Sequence, residues 1–154
     1  MKTQTLIILS LLFVFSCKCH KMDQNNAKMT IIEPILISKG NLYGSGSEGI
    51  AKQNTIIETQ SDWERLMEQM NSVNNVSEHF TETKIDFSKY AVIALFSDVK
   101  GSGGHAIDLD ISKTSEKTLA TVKYSGPKGK AASVITQPYY IVKIARLDLP
   151  IVFQ

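Results

Sequence analysis

The chain has 154 residues, of which 43% are hydrophobic and 21% charged, enough for one folded domain with a sizeable core and no room for a second. A formal net charge of +2 gives no bulk electrostatic reason to bind nucleic acid. Two cysteines, Cys17 and Cys19, lie two residues apart and only three histidines, His20, His79 and His105, accompany them, so a zinc or copper framework lacks its second ligand pair.

Lys2 followed by the apolar run Leu6 to Phe15 has the order of a signal peptide, its core of about ten residues being too short to span a bilayer. The run closes on Val14-Phe15-Ser16-Cys17, which resembles the lipobox of bacterial lipoproteins. The expectation is that residues 1–16 are removed and Cys17 carries lipid. Residues 17–28, polar around Asp23-Gln24-Asn25-Asn26, then form a tether, and residues 29–154 form the folded domain. A Cys17–Cys19 disulfide is disfavoured by geometry, leaving Cys19 a free thiol beside the membrane.

The first strand candidate is Met29 to Ile37, where Pro34, lacking an amide donor, restricts pairing to a sheet edge or a bend. Gly40 and Tyr43 to Gly49 form a glycine-rich loop without the Gly-Lys-Ser/Thr ending of a phosphate cradle. Asn54 to Thr59 is a second strand candidate. Ser61-Asp62-Trp63-Glu64 then has the pattern of a capping box, and Trp63, Leu66, Met67 and Met70 recur at helical spacing, predicting one amphipathic helix over about residues 61–74 with that stripe on the core. A polar connection, Val76 to Glu82, follows.

Tyr90 to Phe96 is a short β-branched and aromatic run, read as a buried strand that enters the turn Lys100-Gly101-Ser102-Gly103-Gly104 and continues as a hairpin. Two adjacent glycines at the reversal predict that Gly103 or Gly104 adopts a backbone conformation closed to residues with a Cβ. His105 to Ile111 alternates, with Ile107, Leu109 and Ile111 on one face and Asp108 and Asp110 on the other. Leu119 to Tyr124 and Pro138 to Ile144 are further strands, separated by Gly126-Pro127-Lys128-Gly129-Lys130, and Asp148 to Gln154 is a short edge strand opened by Pro150. The fold class is therefore α+β: a mainly antiparallel sheet with one helix packed on it.

The patterns that would carry catalysis fail on inspection. Ser102 lies in Gly-Ser-Gly-Gly rather than Gly-x-Ser-x-Gly, and strict alternation puts His105 on the face of Ile107, away from Asp108 and Asp110. No catalytic residue, cofactor or metal site is expected. What remains is surface suited to protein contact: Lys100, Gly101, Ser102, Gly103, Gly104 and His105 in the glycine turn, with Gln137, Pro138, Tyr139 and Tyr140, whose rings offer contact area with polar tips. The alternative is that the glycines only satisfy the turn and the tyrosines only fill the core.

Three segments, Tyr90 to Phe96, Gly101 to Leu109 and Thr136 to Ile144, in this order and spacing, resemble the PrcB-like family of protease-complex subunits, with the core of the likeness over residues 90–146. The resemblance implies a non-catalytic lipoprotein of the bacterial envelope, periplasm-facing or at the cell surface, that docks a protease or another envelope protein and meets the membrane only through its lipid. A second function class stays open. Glycine-turn and aromatic loops on a β scaffold are similar to the loop set of chagasin-like cysteine-protease inhibitors, which would make this chain an inhibitor or a small-ligand binder.

Overall fold

The computed structural model describes residues 29–154, so the expectations for the signal peptide, Cys17 and the tether lie outside the described residues. The chain there forms β1 (Thr30–Ile32), β2 (Ile35–Leu42), β3 (Gln53–Ile57), α1 (Gln60–Met70), a 3-10 turn (Val76–His79), β4 (Tyr90–Phe96), β5 (Ala106–Lys113), β6 (Thr118–Ser125), β7 (Gln137–Ala145) and β8 (Ile151–Phe153). Two four-stranded sheets result, one ordered β1-β5-β6-β8 and the other β2-β7-β4-β3. All neighbours are antiparallel except β6 and β8. The α+β class read from the sequence is the one observed, with the sheet divided in two.

The division follows from which strands can be buried on both faces. In β4 every residue from Val92 to Phe96 is fully buried. Val92, Ala94 and Phe96 pack with Ile37, Ile141 and the helix residues Trp63, Leu66 and Met70, while Ile93 and Leu95 pack with Val142 and Ile144 against Ile107, Leu109, Ile111 and Ala120 of the other sheet. The sheet holding β4 is thus a middle layer, with α1 on one side and the second sheet on the other. Burying each of the larger side chains contributes roughly 1.5–3 kcal/mol, so both faces of β4 weigh on stability.

The expected hairpin between β4 and β5 does not form. β4 pairs with β7 and β3, and the glycine-rich segment after it carries the chain across to the other sheet. The physical reason lies in β5, whose Asp108 and Asp110 are exposed while Ile107, Leu109 and Ile111 are buried. A strand with one charged face cannot sit beside β4 in a layer covered on both sides, because its carboxylates would be driven under the helix. β5 instead pairs with β6 over eight residues, placing Asp108 opposite Lys123 on the wet face.

Pro34 falls between β1 and β2, at the bend where the chain passes from one sheet to the other, and β8 lies at a sheet edge, as Pro150 foretells. The helix differs from expectation at both ends. Its N-cap is Thr59, two residues before Ser61: the Asp62 amide donates to Thr59 Oγ1 at 3.2 Å, and that hydroxyl donates to the Asp62 carboxylate at 2.7 Å. It stops at Met70 rather than near residue 74, because the Asn71 amide group turns aside to bond Ser77, donating to Ser77 Oγ at 2.7 Å and accepting from the Ser77 amide at 2.9 Å. Trp63 is fully buried, donates Nε1–H to the Thr83 carbonyl at 2.8 Å and stacks on Phe80, which ties the connection after the helix back onto it. Thr59→Ala is expected to cost about 1 kcal/mol by urea denaturation and Ser61→Ala no more than a few tenths, a contrast that locates the cap.

Candidate functional site

The register of the sheets brings three loops to one end. Leu42 of β2 pairs with Gln137, Phe96 of β4 pairs with both Tyr139 and Gln53, and Ala106 of β5 pairs with Ser125. The loops 43–52, 97–105 and 126–136 therefore leave the sheets side by side.

Main-chain bonds tie the second and third loops together. Lys100 and Thr136 exchange amide-to-carbonyl bonds of 2.7 and 2.9 Å, the Gly103 amide donates to the Ala132 carbonyl at 3.0 Å, and Thr136 Oγ1 donates to the Ser102 carbonyl at 3.1 Å. Gln137 joins the first loop to the second: its Nε2 donates to the carbonyls of Ile50 at 2.7 Å and Ser97 at 3.0 Å. Within the first loop the buried Glu48 carboxylate accepts from the Gly44 amide at 2.8 Å, and a Cβ at Gly44 would collide with that carboxylate. Ser45, Gly46 and Gly49 all have positive φ, so this loop is a tight reversal shaped by its own residues.

The ten residues expected to form a contact surface separate into two groups. Lys100 to His105 lie on the second loop, where they are half-buried or exposed. Gly104 has φ +80°, as expected of one of the paired glycines, and a Cβ there would come within 3.1 Å of Pro127 Cβ. Gln137, Pro138 and Tyr139 are buried and so do not offer contact area. They begin β7, which is flanked by β2 and β4, rather than a surface loop. The reason is satisfiable chemistry: Pro138 accepts the Ser97 amide through its carbonyl at 3.0 Å, and the buried Tyr139 hydroxyl meets Ser38 Oγ of β2 at 3.0 Å. Burial pushes the Tyr139 phenol above its ordinary pKa, the Ser38 bond opposing. Tyr140 points to the opposite face, half-buried, with the Lys39 ammonium 5.9 Å from its ring. Its phenol is also pushed up, first by burial and then by the charges of Asp108 and Asp110.

His105 precedes β5, and its Nε2 lies 3.0 Å from Ser102 Oγ. Among the described residues no carboxylate hydrogen-bonds the ring's other nitrogen, so the pair lacks the orienting acid of a nucleophilic triad. No three of the described His, Cys, Asp and Glu residues converge as metal ligands.

Sequence reasoning missed the apolar residues displayed on these loops. Tyr43 is 60% exposed, Val99 42%, Val134 37% and Ile135 48%. Val99 lies against Gly46 and Val134 against Gly103, so the exposed side chains span all three loops. The signal was present in Val134-Ile135, a β-branched pair that reads as the start of a strand yet precedes β7. Around them Lys52 and Lys100 flank Asp98 at 3.3 and 3.7 Å, and Lys128 and Lys130 stand on a loop with no acidic residue. The end is apolar at its tips and basic around them, the kind of exposed patch that marks interaction surfaces.

No family model, curated protein or solved structure matches the chain. Gly104→Val is expected to lower stability by about 1–3 kcal/mol, since a β-branched residue at φ +80° is strained and meets Pro127. Gly101→Ala, which has open space around it, should melt with the parent in a thermal scan.

Proposed function

We propose that this chain is a lipid-anchored, non-catalytic binding subunit of the bacterial cell envelope, which holds a protease or another envelope protein with loops 43–52, 97–105 and 126–136. The observation that carries the reading is the cross-tied loop end, with Tyr43, Val99, Val134 and Ile135 exposed on it. The resemblance to PrcB-like subunits supplies the protease as the favoured partner.

The place where the chain enters supports the same reading. Thr30, beside the first described residue, pairs with Lys113, and Lys113 is at the end of β5 away from the loops. An eight-residue strand is roughly 25 Å long, so a tether from Cys17 would meet the domain about that far from the loop tips and leave them facing away from the membrane. A twelve-residue tether, even fully extended, reaches no more than roughly 40 Å, so with the domain's own length the loop tips stand within about 65 Å of the membrane. No helix among the described residues is long and apolar enough to cross a membrane.

A second reading is favoured by the number of loops gathered at one end. Three adjacent loops, the glycine one among them, form a wedge of the kind that the chagasin-like likeness implies for occluding a peptidase cleft. The two readings separate in one experiment. The full chain is used to capture partners from detergent-solubilised envelope, captured proteins are identified by mass spectrometry, and the purified chain is assayed against their peptidase activity. An accessory subunit gives a stable peptidase partner that remains active, whereas an inhibitor silences it. Tyr43→Ala with Ile135→Ala should weaken capture at least tenfold, and Asp108→Ala on the outer sheet face should leave it unchanged. Equal capture by all variants, or partition of a purified Cys17→Ser chain into lipid, overturns the proposal.

A further inference from the structure

The two sheets have four edge strands, and three of them are protected. β1 and β8 have three residues each, and β2 is broken by a register shift between Leu36 and Ser38. β2 is also covered there by Thr81, which donates its amide to the Ile37 carbonyl at 3.0 Å and its hydroxyl to the carbonyls of Leu36 and Ile37. Short, bulged or covered edges are how proteins avoid pairing with other chains. β3 has none of these devices. Its five residues, Gln53-Asn54-Thr55-Ile56-Ile57, run in unbroken register against β4 and contain no proline or charge. Among the described residues no segment other than β4 hydrogen-bonds their main chain, so every second residue directs its amide and carbonyl outward.

We infer that this open edge is a homodimer interface, in which β3 pairs antiparallel with β3 of a second copy about a twofold axis at Thr55. The ends of the strand carry the argument. Lys52 stands immediately before it and Glu58 immediately after it, equidistant from Thr55. In antiparallel pairing centred there, Lys52 faces the second copy's Glu58 and Glu58 faces the second copy's Lys52, while Gln53 falls opposite Ile57, Asn54 opposite Ile56, and Thr55 opposite its own counterpart. Parallel pairing in register would instead set lysine on lysine and glutamate on glutamate, so the charges select the antiparallel arrangement. Within the chain Lys52 meets Asp98 at 3.3 Å and Glu58 meets Arg146 at 3.1 Å, exposed pairs that extend into a four-charge network on each side of the axis without being broken.

The space beside the edge fits the same occupant. A cleft of about 330 Å³ lies between β3 and α1, bordered by Thr55, Ile57, Asp62, Arg65, Leu66 and Gln69. Gln53, Thr55 and Ile57 pair in register with Phe96, Ala94 and Val92, whose side chains pack toward the helix, so they stand on that side of the sheet. The second copy's Thr55 and Gln53 would border the same cleft. The product is one eight-stranded sheet running through both copies, an isologous and closed contact that leaves the loop end of each copy free. This interface meets the partner-binding proposal above only at Lys52, the last residue of loop 43–52.

Sedimentation velocity of the full chain in detergent tests it. The parent chain is expected to show a concentration-dependent monomer–dimer equilibrium. Lys52→Glu and Glu58→Lys each place two like-charge pairs across the axis and should weaken dimerisation by on the order of tenfold, while the double exchange K52E/E58K should restore it. Oxidation of a Thr55→Cys chain, with the parent chain oxidised in parallel as control, should give a disulfide-linked dimer that the control lacks, a readout that stands even if a reversal variant folds poorly. A parent that stays monomeric at all concentrations, a dimer indifferent to the single reversals, one not restored by the double exchange, or a Thr55→Cys chain that does not crosslink overturns the inference. Partner capture by the loop end is expected to be unchanged in the Glu58→Lys and Thr55→Cys chains, whose altered positions lie outside loop 43–52, so the two proposals fail separately.

Discussion

The burial of β4 on both of its faces is the constraint from which the rest of the architecture follows. A strand of seven residues in which five successive side chains are fully buried needs a partner on each edge and a cover on each face. β7 and β3 supply the edges, α1 and the second sheet the covers. Strands with a polar face are thereby excluded from the places beside β4, which is why β5 and β6, adjacent in sequence to this segment, build a separate sheet. The helix is held to the same layer from its own side. Trp63 fills the space over Val92 and Phe96 and uses its indole N–H on Thr83, so the largest side chain in the core leaves no polar atom unpaired.

The loop end is a consequence of that layer rather than an addition to it. β2, β7, β4 and β3 alternate in direction, so the ends of β2 and β4 and the starts of β3 and β7 meet at one side. Gln137, the first residue of β7, is buried there and spends both amide protons on the carbonyls of two different loops. A residue read from the sequence as a contact group acts as the bolt that fixes where the contact groups stand. Leaving those two carbonyls without a donor would cost on the order of 1–3 kcal/mol for each, which is a reason for glutamine at a position otherwise suited to an apolar residue.

What was legible in the sequence was local, and what was not depended on pairing. The run Tyr90 to Phe96, the alternation of Ile107 to Ile111 and the Trp63-Leu66-Met70 stripe each declare an element and its buried face by spacing alone. The glycine segment declared a reversal, and Gly104 has the left-handed conformation, but nothing local says whether the next strand pairs with the last or crosses to another sheet. The cap at Thr59 was hidden by a nearer serine with a better-known pattern. Tyr139 and Tyr140 stand in the strand read from the sequence, where alternation sends them to opposite faces, yet which faces were covered depends on β2 and on the helix, both far away in sequence. The exposed residues Tyr43 and Ile135 escaped notice for the converse reason: apolar residues look like core until the fold leaves them outside.

The first loop shows how a surface of this kind is kept ready. Tyr43 is displayed by a turn whose geometry rests on Glu48, a buried carboxylate that accepts the Gly44 amide and whose other oxygen has no hydrogen-bond partner among the described residues. Gly44 has no room for a side chain because that carboxylate occupies it, and Ser45, Gly46 and Gly49 adopt backbone conformations that most residues avoid. Such a turn stores cost in the free protein. A loop already held in one shape would lose little conformational entropy if a partner closed on it, as the proposed function requires. The ties at Lys100, Gly103 and Thr136 act likewise on the other two loops, and since they are mostly main-chain bonds they constrain shape without dictating side chains. On the proposed reading the identity of the partner is thereby left to the exposed residues, Tyr43, Val99, Val134, Ile135 and the surrounding lysines, which can vary without loosening the loops that present them.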